Sequence, residues 1–500
     1  MLKEHLPILQ VVAPLIAAPI CILVHRPKPA WAVTATVSWG ALFIAAILLH
    51  TVLETGPISY ALGGWATPWG IEYRVDTVGA IVLLIVSGIS ALTSLFAAKS
   101  VEREIDHGRI YLFYALWSLH LTGLLGIAIT GDVFNLFVFL EIASLSAYAL
   151  ISFGSHRRAL LAAYRYLVMG TIAATFIVIG IGFLYAMTGT LNMLDLARRI
   201  PEVSDTRTVA VAFAFLTVGI SLKVALFPLH AWLPNAYTYA PSAISVLLAA
   251  TATKVGIYIL LRFLFTVFGG NFSFQAMPLD GMLLLLAIVS VLAGSLIAVF
   301  QNNLKRMLAY SSIAQIGYMV IGISLGSITG LTAGILHLFN HALIKAVLFM
   351  ALGAVFHRLG SVSLTEMASF GKKMPWTIAA FLLGGLSLMG MPMSVGFISK
   401  WYLILAALEQ GLWPVIVVVI IATLLAIIYM WRVVEVVYFR PMVAPFKPAK
   451  EANGMRAEGP LAMLIPIWIL VLANIYFGLD ASLTTGVARQ AAEMLLGVTP

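Results

Sequence analysis

The sequence predicts an all-α integral membrane protein of about fourteen transmembrane helices, containing two inverted five-helix repeats, each with a broken helix. Three observations predict this fold. Of 500 residues, 62% are hydrophobic and 10% are charged, at a mean hydropathy of +1.03, whereas soluble globular chains run roughly 45–50% apolar and 25% charged. Apolar runs of about 20 residues, the length that crosses a bilayer as a helix, fill nearly the whole chain. Two of these runs, five apart, carry a glycine or proline interruption beside a lysine, as paired broken helices in an internal repeat would.

The runs fall at 8–25, 31–53, 75–98, 110–130, 132–153, 162–187, 208–229, 240–268, 280–301, 306–325, 328–357, 375–408, 412–439 and 460–478. The first has no small-residue cleavage site after it and is read as a retained span. Runs 328–357 and 375–408 are long enough to hold a kink or break. The latter contains Gly384, Gly385, Gly390, Pro392 and Gly396, and Pro228 and Pro234 interrupt the end of the seventh. Residues 1–500 therefore read as one membrane domain, with repeats over 110–268 (spans 4–8) and 280–439 (spans 9–13). A polar linker follows at 440–459. The last span and a tail occupy 460–500, the tail a short interfacial helix or a frayed end.

Charge orients the spans. Loops after odd-numbered spans hold Arg26, Lys28, Lys99, Arg103, Arg109, Arg157, Arg158, Lys305, Arg306, Arg358, Lys372, Lys373, Arg440, Lys447, Lys450 and Arg456. The opposite side holds only Lys3, Arg74, Arg198, Arg199, Arg207 and Arg489. The positive-inside rule puts the first set in the cytoplasm and both termini outside. The net charge of +9 is thus topological. Basic residues form no patch for nucleic acid. With Cys21 as the only cysteine, neither a disulfide framework nor a thiolate-held iron–sulfur cluster can form within the chain.

Seven basic residues remain inside the spans: Arg165, Lys223, Lys254, Arg262, Lys345, Lys400 and Arg432. A charge at the bilayer centre costs about 2.5–3.5 kcal/mol on insertion scales, so such residues face a bundle interior, a wet cavity or a partner. Arg262 and Arg432 sit near span ends and are expected to snorkel, with Glu435 as the ion-pair partner of Arg432. Lys223 lies just before Pro228, where a break would free carbonyls and admit water. Its proton can be held or released according to where a counter-charge sits. Glu141, the one carboxylate deep in an apolar run, is the natural counter-charge. Lys254, near Thr251 and Thr253, is placed to relay a proton onward.

His337, His341 and Lys345 recur at i, i+4 and i+8, which stacks three titratable groups on one helix face over about 12 Å. That pattern suits a proton wire. It could also supply two zinc ligands, but no HExxH glutamate accompanies them, and no metal or cofactor is expected. Ser312 and Gln315, with Ser311, could supply hydrogen-bond partners or hold water. Lys400 follows the glycine and proline break, in apparent mirror of Lys223. His230 lies at the first break and is a candidate for surface access, while His50 and His120 read as structural. No nucleophile, metal centre or nucleotide loop is present, so enzyme status stays open.

SLKVALFPLHAWLPNAYTYAPSAISVLLAATATKVGIY, with NNLKRMLAYSSIAQIGYM, HLFNHALIKAVLFM and GMPMSVGFISKWYL, resembles the antiporter-like membrane subunits of Mrp cation/proton antiporters, respiratory complex I and membrane-bound hydrogenases. The match covers roughly 105–405 in consistent order. The resemblance implies a horizontal charged chain at Glu141, Lys223, Lys254, His341 and Lys400, other membrane subunits as partners, and a bacterial or archaeal inner membrane. It also implies that protons are moved, while whether Na⁺, K⁺ or only H⁺ is moved stays open, since no oxygen-rich cation cage is visible in the chain. Arg165 stands where relatives often carry lysine, and as an arginine is expected to be a fixed counter-charge. Gln315 stands where some redox relatives have histidine. Lys400, TGTLNML and GFISKWYL resemble the D-type member of the Mrp antiporters, so the Mrp type is favoured over a proton-pumping redox subunit. A solitary solute carrier fits less well, because the basic groups spread over several spans. An inert scaffold leaves the buried lysines unexplained.

Overall fold

The computed structural model describes residues 3–441 and 458–498. The chain opens with α1 (Leu6–Val24) and α2 (Pro27–Thr55), both begun by proline within the first two positions, where its missing N–H is not needed. A two-stranded antiparallel hairpin follows, β1 (Ile58–Ala61) with β2 (Glu72–Val75), which the all-helical expectation did not include. Then come α3 (Thr77–Glu104), α4 (Ile110–Ile129), α5 (Val133–Ser152) and α6 (Arg158–Thr188). A short amphipathic helix, α7 (Met193–Val203), starts where Asn192 accepts hydrogen bonds from the N–H groups of Leu194 and Asp195.

The seventh span is α8 (Arg207–Val224), a break over 225–232, and α9 (Leu233–Tyr239). The eighth runs through α10 (Ser242–Leu247), a π-helical turn at Leu248–Ala252, α11 (Thr253–Leu261) and a second π segment at Arg262–Val267. After it follow α12 (Leu279–Val299), α13 (Leu304–Ser324) and α14 (Ile328–Leu359). The twelfth span is two half-helices, α15 (Pro375–Met389) and α16 (Val395–Glu409). The chain closes with α17 (Trp413–Val434, continued by a π turn to Phe439), α18 (Leu461–Leu479) and α19 (Ser482–Leu495).

Among the described residues, thirteen helical segments are long and apolar enough to cross a membrane, and the pair α15 and α16 supplies the remaining span. Both expected breaks are present. The run 328–357, long enough to hold a kink or break, has no break: α14 is one continuous helix of 32 residues, with no proline to interrupt its ladder. Most of the expected linker 440–459 lies outside the described residues. Its end returns as Glu458, whose carboxylate accepts from the N–H groups of Trp376 and Thr377 and so caps the start of α15. The tail forms α19, with Ala488, Ala491 and Ala492 buried and its main contacts on α14.

Layering follows burial. In the spans Ser242–Val267, Leu304–Ser324 and Ile328–Leu359, 94% of the most apolar stretch is buried, against 28% for Pro27–Thr55, so the former are interior and the latter is peripheral. α14 is the hub, packed on α3, α10, α13, α15, α16, α18 and α19. Segments that follow even-numbered spans gather at one end, where Tyr73 bridges Thr130 and Asp132 bridges Asn192. At the other end Asn303 bridges Ser363.

The α15–α16 break depends on close backbone approach. Gly390 caps α15 at φ +87°, and a Cβ on Gly396 would fall well inside contact distance of the Ser387 carbonyl oxygen. Since that oxygen is backbone, the half-helices would have to separate. Gly396→Ala is expected to destabilise by about 1–3 kcal/mol or more, read as a lower melting temperature and less protein in the membrane.

Candidate proton path

Glu141 projects from mid-α5 and Lys223 from the last turn of α8. The Lys223 ammonium donates to Ser144 Oγ at 2.8 Å and lies 3.7 Å from Glu141 Oε1. Glu141 Oε1 has no hydrogen-bond partner among the described residues, so the pair is held open by a hydroxyl one turn along α5. The local chain explains the position of Lys223. α8 ends as Ala225 turns to φ +61°, and the freed carbonyls of Ser221 and Leu222 are taken by Leu226 N–H, Ala225 N–H and the Trp232 indole. Protein groups thus satisfy these two carbonyls of the break. A cavity of about 40 Å³ beside Lys223 is lined by His120, Ser144 and Tyr166, with room for a water.

Lys254 begins α11 directly after the π turn and is fully buried. Its ammonium donates to Ala249 O, a carbonyl of that wide turn. Thr251 bonds back to Leu247 O, and Thr253 Oγ1 has no partner among the described residues, so neither threonine serves Lys254 as expected. α14 packs against the same π turn.

On α14 the three groups line up in register. His337 Nε2 donates to Gln315 Oε1 at 2.9 Å, leaving Nδ1 to accept from Ser399 Oγ at 2.8 Å. The His341 ring stacks on His337 at 5.9 Å and 4°, with both nitrogens unpartnered among the described residues. Lys345 donates to Leu308 O at 2.8 Å and to Ser311 Oγ. Ser312 bonds to Leu308 O of its own helix at 3.0 Å. The hydroxyl in contact with the path is therefore Ser311.

Lys400 sits on α16, past its break, and donates to Leu388 O at 3.1 Å and Met389 O at 2.8 Å, the open carbonyl end of α15. It also lies over the Tyr318 ring at 5.5 Å. The mirror with Lys223 is thus only partial: one lysine ends the first half-helix beside a carboxylate, and the other reaches back to cap a half-helix. His230 lies within the first break, stacked on Phe227 at 4.9 Å, with Nδ1 unpartnered among the described residues.

Several expectations change. Arg165 is exposed on the outer face of α6 and joins no ion pair among the described residues; the helix phase turns it away from Glu141. Arg262 does not snorkel, because it is buried in an ion pair with Asp76. Arg432 bonds to Val299 O and Asn302, while Glu435 pairs with Arg440. Lys305, assigned to a loop, is buried with its ammonium on Ala240 O and Ser242 Oγ. His50 pairs with exposed Glu54, whereas His120 bonds Ala143 O and shares the Lys223 cavity. Sequence reading missed Ser144 and Ser399. Their signal was adjacency, one three residues from Glu141 and the other next to Lys400.

The match to known proteins follows the same stretch. The family model described as NADH:quinone oxidoreductase/Mrp antiporter, transmembrane, matches residues 130–426. The chain belongs to this family. It is 41% identical over 96% of both chains to the N-type subunit of the NADH-quinone oxidoreductase of Desulforudis audaxviator. It is 31% identical, over 92% of this chain and 90% of the relative, to the D-type subunit of the Na⁺/H⁺ antiporter of Alkalihalophilus pseudofirmus. Among solved structures, a chain of the Mrp complex from Dietzia sp. superposes with TM-score 0.91 at 26% identity, covering 100% of this chain and 98% of that one. The family is one of multi-pass membrane proteins.

Proposed function

We propose that this chain is the proton-translocating membrane subunit of a multisubunit complex, an Mrp-type monovalent cation/proton antiporter. In this reading protons pass along Glu141, Lys223, Lys254, His337, His341, Lys345 and Lys400. Water reaches Lys223 from the cytoplasm past His230. Lys254 and the histidines carry the proton sideways, and Lys400 delivers it outside. Both termini lie outside, and 110–268 and 280–439 are the two repeats that carry the broken helices.

The observation that carries the reading is the Lys223 ammonium 3.7 Å from Glu141 with a serine hydroxyl bound to it. A pair that can close or open switches the proton affinity of the lysine. Partners are other membrane subunits. A second reading, the membrane arm of a redox complex, is favoured by the relative named as a quinone oxidoreductase subunit. Vesicles from cells carrying the whole gene set, with and without this gene, decide between them. Proton movement that depends on added Na⁺ or K⁺ supports the antiporter. Movement driven only by electron donors, with iron–sulfur subunits copurifying, supports the redox arm.

The shell of His337 gives a smaller test. Ser399→Ala removes one neutral hydrogen bond, about 1 kcal/mol, and is expected to slow driven proton movement on the order of fivefold in the same vesicles.

A further inference from the structure

The buried ion pair Asp76–Arg262 belongs to none of the steps above. Asp76 caps the start of α3, accepting from Gly79 N–H at 3.0 Å, and receives the Arg262 guanidinium. Both side chains are nearly sealed from solvent, at 6% and 4% exposure. Arg262 Nε also donates to Tyr258 Oη at 2.9 Å, and Tyr258 Oη donates to Ala128 O at 2.9 Å. The pair is thus tied into a hydrogen-bonded chain that reaches α4.

Two placements give the pair a direction. On one side, Lys254, Tyr258 and Arg262 recur at i, i+4 and i+8, one face of a helix running about 12 Å from the central lysine. π-helical turns bound this stretch at both ends, at Leu248–Ala252 and Arg262–Val267, a distortion that concentrates at functional sites. On the other side, a cavity of about 210 Å³ is lined by Arg74, Asp76, Thr130, Arg262, Thr266 and Leu495. Its walls come from segments after even-numbered spans, the end assigned to the outside, and α19 closes it over. It has room for several waters. A paired, buried charge between a central lysine and a polar vestibule is placed as a gate.

We propose that Asp76, Tyr258 and Arg262 form a second, gated outer mouth, beside the exit at Lys400, for protons leaving Lys254. Arginine does not release its proton, so Arg262 is the latch and Asp76 the group that moves one. With the pair closed, the Asp76 carboxylate is occupied by the guanidinium. When it opens, a proton from the Lys254 ammonium passes through water to the Asp76 carboxylate. The resulting acid gives the proton to vestibule water and is again a carboxylate, while Lys254 is left as an amine that the Lys223 side reprotonates. This step rests on the reading of Lys254 as part of the path.

The test uses vesicles containing the complete complex. Arg262→Gln is expected to raise undriven proton leak several-fold and Asp76→Asn to lower driven movement, with the amount of complex unchanged in both. Adding Lys254→Ala to Arg262→Gln should return the leak to the wild-type level. In a Cys21→Ser background, Thr266→Cys should react with a membrane-impermeant thiol reagent added outside. A wild-type leak in Arg262→Gln, or normal driven movement in Asp76→Asn, overturns the gate. So does loss of the complex that the swap Asp76→Arg with Arg262→Asp restores without any leak, the behaviour of a structural ion pair, and so does absence of outside labelling at position 266. If Lys254→Ala alone leaves driven movement intact, the lateral path itself fails, an outcome separate from these and equally fatal to an exit that starts at Lys254.

Discussion

Lys223→Ala abolishes driven proton movement while the complex still assembles; that is the expected result of largest effect. The lysine contributes little to packing that alanine would ruin, because its ammonium touches one hydroxyl and faces a carboxylate across 3.7 Å, beside a cavity of about 40 Å³. The helix end is held independently of it, by backbone bonds and by the Trp232 indole on Leu222 O. On the proposed path, removal therefore deletes a proton carrier and spares the break. Native-gel abundance of the complex and dye-quench measurement in vesicles report the two effects separately. Full residual transport would refute the path at its best-supported point.

Glu141→Gln should behave in the same direction. The amide keeps the shape of the carboxylate but removes the counter-charge that faces Lys223, so on the proposed path the pair can no longer switch. Transport is expected to fall to near background with assembly retained, and Glu141→Asp to recover a part of it. If instead the glutamine variant disappears from the membrane, Glu141 is one half of a structural salt bridge and the switching argument is lost. In that event the desolvation cost of leaving Lys223 unpaired explains the instability.

The spans were legible because bilayer thickness imposes a length and a composition on every one of them. The expected run at 412–439 and the helix from Trp413 with its π turn to Phe439 differ by a single residue at the start. Both breaks were legible because glycine and proline mark them. What sequence could not supply was helix phase. Arg165 and Lys223 look alike as buried cations in a string, yet one faces outward from α6 and the other inward, a difference set by which side of each helix meets a neighbour. The same gap hid Asp76–Arg262. The partners are 186 residues apart, and only the packing of α3 on α11 brings them together. The loop assignment of Lys305 failed because adjacency to Arg306 on the page says nothing of Ser242 across the bundle.

α14, continuous over 32 residues, is about 48 Å long and carries His337, His341 and Lys345 on a single unbroken rod. Distances along that rod cannot change much without breaking its backbone ladder, and it is wedged by neighbours on every side. It therefore works as a fixed rail. Whatever opens and closes during a cycle has to lie off this rail, at the jointed helices α8 with α9 and α15 with α16 and at the ion pair Asp76–Arg262. A cross-link that locks either joint should stall transport with the rail intact, whereas stiffening α14 further should cost the cycle nothing.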